Sequence, residues 1–199
     1  MSLKPRPLFT SEPIELKRDQ ALRALDRAVA RLRPKDLADP ALSAKLAERH
    51  LPRPPRLGTQ VLYRLFEVET GGEGEDPGSG RWGAGLEATL RFYGAADYFD
   101  LRAGAQPLRP PAGTVRGRRL TVTVIDDDGS EDLVERLDAQ LETVRRELEE
   151  QRRRCESMRE ALESAAGRMV AARRTRIALL GAAADVLSAR GWLAERRRA

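Results

Sequence analysis

Hydrophobic positions change their spacing along the chain, and each change marks a different kind of element. Leu22, Leu25, Val29 and Leu32 recur at steps of three and four residues. That spacing places them on one face of a helix. Ser11 is a suitable cap for it, Pro13 suits its first turn, and Pro34 closes it. Asp39-Pro40 predicts the start of a second, shorter helix through about Glu48, with Leu42 and Leu46 on one side. Leu51-Pro52-Arg53-Pro54-Pro55 cannot extend it, because proline lacks the amide donor and its ring clashes with the preceding turn. Residues 1–10 read as an extended arm containing two prolines.

In the middle of the chain the period becomes two. Thr59 to Thr70 is rich in Val, Leu, Tyr and Phe, as a strand is. Leu86, Ala88, Leu90 and Phe92 alternate with Glu87, Thr89, Arg91 and Tyr93. This predicts a half-buried strand with one wet face. Gly71 to Gly80 joins the two as a glycine-rich loop. A helical turn carrying Tyr98 and Phe99 is expected between Gly94 and Asp100. Val115, Gly117, Leu120, Val122 and Val124 suggest a tight hairpin. Residues 59–125 therefore predict a small, mainly antiparallel sheet. Its apolar face needs a cover, and the N-terminal helix is the nearest candidate.

The C-terminal third has the clearest pattern. Asp128 precedes Glu131 by three, as in a capping box. Val134, Leu137, Leu141, Val144, Leu148, Gln151, Cys155, Met158 and Leu162 then alternate at steps of three and four, with Arg, Glu and Asp between them. This is an a/d seam of about four heptads. Gln151 is its one polar member, where it either fixes register or marks the end of the packing partner. The pattern weakens around Ser164 to Gly167. A second series follows in Met169, Val170, Ile177, Leu180, Ala184 and Leu187, ending at Gly191 and Trp192. One continuous helix of this length would reach roughly 85 Å, so a hairpin reversing near Gly167 is favoured over a single bent helix.

Composition adds bounds. The 199 residues suffice for one or two small domains. Charged residues make up 34% and aromatics 5%, and net charge is +5. From Arg168 onward, eight Arg face only Asp185 and Glu195. That balance suits a solvated helix end and also admits an anionic partner. No apolar run approaches the length of a membrane span, and the N-terminus lacks a signal-peptide core, so a cytoplasmic location is expected.

Candidate chemistry is sparse. Asp126-Asp127-Asp128-Gly129-Ser130 lacks the alternating oxygens and distant Glu of a calcium loop, and reads as cap and turn. His50 is the only histidine, and it has no nearby partner for zinc or general-base work. Cys155 is the only cysteine, which excludes an intramolecular disulfide and, from its seam position, favours an inert thiol. The glycines of 71–85 are not followed by the Lys of a phosphate loop. No catalytic residue, metal, cofactor or small-molecule substrate is expected. Arg152-Arg153-Arg154, Arg173-Arg174-Arg176 and Arg196-Arg197-Arg198 would form a basic stripe if the helices paired. Arg173, Arg174 and Arg176 are then the candidate phosphate contacts.

Residues 86–124, from LEATLRFYGAADYFDL to RRLTVTV, with the charged helix and ARRTRIALLGAAADVLSARGWLAERR, resemble an uncharacterised bacterial module. In that family a strand enters a glycine and a short acidic-aromatic turn, here Gly94, Asp97 and Phe99. A hairpin and two charged helices follow, the last often with an Ala-Arg-Arg-x-Arg element, here Ala172 to Arg176. Similar modules accompany effector domains in conflict and antiphage systems. The resemblance implies a sensing or adaptor part without an enzyme of its own, and it brings no catalytic residue.

The sequence thus predicts an α+β protein in three parts. Residues 1–58 form the arm and helices, 59–128 a small antiparallel β domain, and 129–199 a long helical hairpin or coiled coil. The expected function is a non-enzymatic sensor, adaptor or scaffold. It would bind a protein partner or itself through Val134, Leu137, Leu141, Val144, Leu148, Gln151, Met158 and Leu162. The alternative is nucleic-acid binding by the Arg-rich C-terminal helix.

Overall fold

The computed structural model describes residues 5–70, 81–105, 109–126 and 132–192, with the backbone alone at Thr70 and Arg81. The fold is α+β. The chain divides into two compact units that interleave in sequence: residues 1–16 with 53–155, and residues 17–52 with 156–199. The three-part division is thereby redrawn. The arm and the seam helix belong with the sheet, and the N-terminal helices belong with the last helix.

The first unit is built on an antiparallel sheet in the order β1-β4-β5-β3-β2. The strands are β1 (Arg6–Pro7), β2 (Arg56–Thr70), β3 (Arg81–Tyr93), β4 (Ala112–Arg116) and β5 (Arg119–Asp126). The alternation read in β3 holds: Leu86, Ala88, Leu90 and Phe92 are buried. Their neighbours on β5 are Leu120, Val122 and Val124, also buried. Gly117 turns the β4–β5 hairpin with φ +58, a backbone region glycine enters without strain. Tyr98 and Phe99 sit in a short 3-10 turn, Ala96–Phe99. The Phe99 ring meets Phe92 edge-on at 4.9 Å and Phe9 at 6.2 Å.

Helix α3 (Leu133–Ser157) covers the apolar face of this sheet. Leu137, Leu141, Val144 and Leu148 pack in one cluster with Leu8, Phe9 and the strand residues. Each side chain so buried contributes about 1.5–3 kcal/mol relative to exposure. The N-terminal helix does not cover the sheet, as proximity in sequence suggested. Ser11 caps no helix either. The arm is bent at Leu8–Phe9, where Phe9 has φ 57, and continues to Ile14, whose amide donates to the Arg102 carbonyl at 3.0 Å; α1 (Leu16–Ala30) starts only after it. The capping box expected at Asp128 and Glu131 falls outside the described residues. Asp132 accepts a hydrogen bond from the Val134 amide at 2.8 Å.

The second unit packs α1 (Leu16–Ala30), α2 (Leu42–His50) and α4 (Arg159–Ala189). Leu25 and Val29 of α1, Leu42 and Leu46 of α2, and Ala165, Ala166 and Val170 of α4 form one cluster. Ala21, Ala47, Leu51, Met158 and Leu162 form a second. Helix α2 begins at Leu42, a few residues after the expected start at Asp39, which closes the preceding 3-10 turn and accepts from the Ala41 amide at 2.9 Å and from Lys45 at 2.7 Å. These bonds, the Lys45 one foremost, hold the Asp39 carboxyl below its ordinary pKa.

The hairpin reversal is absent. Only Met158 separates α3 from α4, its backbone is helical (φ −78, ψ −13), and the Leu162 amide donates to its carbonyl at 2.9 Å. Gly167 lies inside α4. The apolar pattern weakens there because the residues are small. Ala165 and Ala166 are nevertheless buried, in one cluster with residues of α1 and α2.

Candidate functional site

The expected partner seam is almost wholly spent inside the chain. Leu137, Leu141, Val144, Leu148 and Gln151 are buried in the first unit, and Met158 and Leu162 in the second. Val134 alone is open, at 58% exposure. The seam therefore does not wait for a partner helix. Strands of the same chain occupy its first part, and α1 and α2 occupy its last. Gln151 is fully buried, just past the last seam residue that packs in the sheet cluster, Leu148. Its Nε2 donates to the Leu101 carbonyl at 2.6 Å and to the Tyr98 carbonyl at 3.0 Å. Cys155 is buried beside Ile14, Tyr98 and Leu101. Burial foremost, with Cys155 and Asp97 adding to it, pushes the Tyr98 phenol up from its ordinary pKa.

In the two described arginine triplets, most members are engaged within their own unit. Arg152 donates to the Pro55 carbonyl at 2.9 Å and pairs with Glu149 at 2.8 Å. Arg154 pairs with Glu15 and Glu150. Arg173 donates to the Leu32 carbonyl at 3.3 Å. Arg174 holds the Leu37 carbonyl through Nε at 3.0 Å and a terminal nitrogen at 2.7 Å. Arg173 and Arg174 thus satisfy carbonyls beyond α1 and in the 3-10 turn Pro34–Ala38, which helix ends leave without partners. Arg176 is exposed. Arg196, Arg197 and Arg198 lie outside the described residues.

Among the described residues, the open surfaces include two with a distinctive pattern. The first is the end of α4. Every residue from Ala178 to Trp192 is exposed, including Leu179 (67%), Leu180, Val186, Leu187 and Trp192 (65%). Asp185 is the one acidic residue in that stretch, and Arg176 and Arg190 bracket the apolar part. Leu180 and Leu187 belong to the apolar series legible in the sequence. Leu179 and Val186 do not, and their signal was composition: an Ala- and Leu-rich run with charge nearly absent.

The second is the sheet face opposite α3. Arg64, Glu87, Thr89, Arg91, Tyr93 and Thr121 lie on it. The Arg64 guanidinium binds the Glu87 carboxylate at 2.9 Å and stands 5.4 Å from the centre of the Phe66 ring. Phe66 lies across Gly85, where an added Cβ would meet its ring. Toward the β4–β5 turn the face carries arginines and a trough of about 680 Å³.

Among the described residues, no group of His, Cys, Asp and Glu is arranged to hold a metal ion, and no helix is long and apolar enough to cross a membrane. His50 ends α2, and burial, with Arg49 beside it, lowers its pKa from 6.5. No family model, curated protein or solved structure matches the chain.

Proposed function

We propose that the protein is a non-enzymatic interaction module, a sensor, adaptor or scaffold, that holds a partner helix on the exposed end of α4. The observation behind this reading is the run of exposed apolar residues from Leu179 to Trp192. Leu179, Leu180, Val186 and Leu187 recur at helical spacing and share one broad face, and a helix with such a face buries it against another element. Charge selects the occupant. Arg176 and Arg190 bracket the apolar run, so the fitting partner is an amphipathic helix whose apolar stripe is flanked by Asp and Glu. A second copy fits poorly: parallel pairing sets Arg176 against Arg176, and antiparallel pairing sets it toward Arg190. The resemblance of residues 86–197 to modules of bacterial conflict systems supports the same class of role, as the sensing or adaptor part of such a system.

Synthetic helices test this directly. One peptide carries a Leu heptad stripe flanked by Glu, and a second carries the same stripe flanked by Lys. Trp82→Phe leaves Trp192 as the only tryptophan to report. The Glu-flanked peptide is expected to shift Trp192 emission saturably, and Leu180→Asp with Leu187→Asp should weaken it more than tenfold. Equal binding of the Lys-flanked peptide, no binding of either, or a stable dimer by light scattering would overturn the assignment.

A further inference from the structure

We propose that the open face of the sheet binds single-stranded nucleic acid, along a row of arginines that crosses β3, β5 and β4. The register sets Arg91 opposite Arg119, and Arg119 opposite Arg116. Adjacent strands are about 4.8 Å apart, so three guanidinium groups start from neighbouring positions on one face. Arg118 follows in the hairpin turn, beside them. Like charges directly across a ladder destabilise a sheet. Nothing in the fold offsets this here: all four arginines are exposed, and none makes an ion pair among the described residues. Glu87, the acidic residue farther along the face, is already held by Arg64. The row costs stability in the isolated chain and gains from an external anion.

Its shape selects the kind of anion. A lone phosphate suits donors converging within one enclosure. These arginines instead spread along an open trough of about 680 Å³, which matches a chain of phosphates. Thr89 and Thr121 line its floor with hydroxyls 3.0 Å apart, and Thr114 lies next to them on β4. Tyr93 stands two residues beyond Arg91 on the same face and is 60% exposed. An exposed ring beside guanidinium groups offers a stacking surface for unpaired bases. An acidic peptide would use the arginines and leave that ring idle, and a duplex hides its base faces. Arg56 is paired with Tyr93 across β2 and extends the positive charge past the ring. This site is independent of the α4 surface: it lies in the other compact unit and stands if the helix reading fails.

The test is anisotropy of a labelled oligo-dT or oligo-U with the full chain at low salt. Binding should weaken steeply as salt rises. Arg91→Ala with Arg119→Ala should lower affinity at least tenfold, and Tyr93→Ala about tenfold. Arg176→Ala should leave it unchanged. The double arginine variant should melt at the same temperature as the parent or higher, since it relieves repulsion, so lost binding cannot be lost folding. Absence of oligonucleotide binding at low salt overturns the proposal. So does affinity indifferent to Arg91, Arg119 and Tyr93, duplex bound as tightly as single strand, or a Glu-rich peptide that binds better than the oligonucleotide.

Discussion

Gln151 and Leu101 are joined by a buried hydrogen bond of 2.6 Å, from the amide of a helix to the carbonyl of a loop fifty residues earlier. The same nitrogen reaches the Tyr98 carbonyl. The Tyr98 carbonyl also accepts from the Leu101 amide at 3.2 Å, at the end of the 3-10 turn that carries Phe99 into the core. Gln151→Leu keeps the volume and removes the donor. It should destabilise the first unit by about 1–3 kcal/mol, the cost of stranding buried acceptors. A urea midpoint equal to that of the parent chain would refute this account of the one polar seam residue.

Because the seam is core, its substitutions should unfold the chain and not merely free a partner. Leu148→Ala is expected to cost about 2–5 kcal/mol. Val134→Ala, at the exposed start of the same seam, should stay within about 0.5 kcal/mol. Comparing the two by chemical denaturation separates a core helix from a docking helix; equal effects would count against the packing described.

Arg174 and Arg176 make an informative pair on α4. Arg174 is tied to the Leu37 carbonyl, and Arg176 is exposed. Arg174→Ala should lower stability by about 1 kcal/mol, whereas Arg176→Ala should change it by less than about 0.5 kcal/mol. Thermal melts of the two variants provide the comparison, and an identical response would remove the structural role assigned to Arg174.

His50 supplies a pH dependence with a defined sign. Its folded pKa lies below 6.5, chiefly because burial disfavours the charged ring. The unfolded chain therefore takes up the proton first as pH falls. The neutral ring's contribution is complete above pH 6.5 and is lost progressively below it. As the single histidine, it gives one imidazole titration by NMR. A midpoint at or above 6.5 would contradict the structure. His50→Gln should flatten the change in melting temperature between pH 7.5 and 5.5.

Much of the fold was legible wherever a local rule decided it. The period-two run of β3, the Gly117 turn and the apolar side of α2 all depend on neighbours within a few residues. The candidate sites were less legible. The seam was read correctly as one apolar stripe, but a stripe does not say what it packs against. Leu179 and Val186 stand off the helical series, so periodicity passed over them. The arginine row is invisible in sequence, because Arg91 lies 25 residues from Arg116 and 28 from Arg119, and only the register of β3, β5 and β4 aligns them.

The sequence by itself determined the elements: two N-terminal helices, alternating strands, a hairpin, and a long charged helical end. Those follow from backbone geometry and side-chain period, which act over one or two turns. Tertiary structure decided the partners. It laid α3 on the sheet in place of an outside helix, joined α1 and α2 to α4, and carried α3 into α4 without reversal. The physical reason is that burial free energy depends on area and not on direction along the chain. An apolar stripe is satisfied equally by a strand face, a neighbouring helix or another molecule, and only the assembled fold shows which surface is left over.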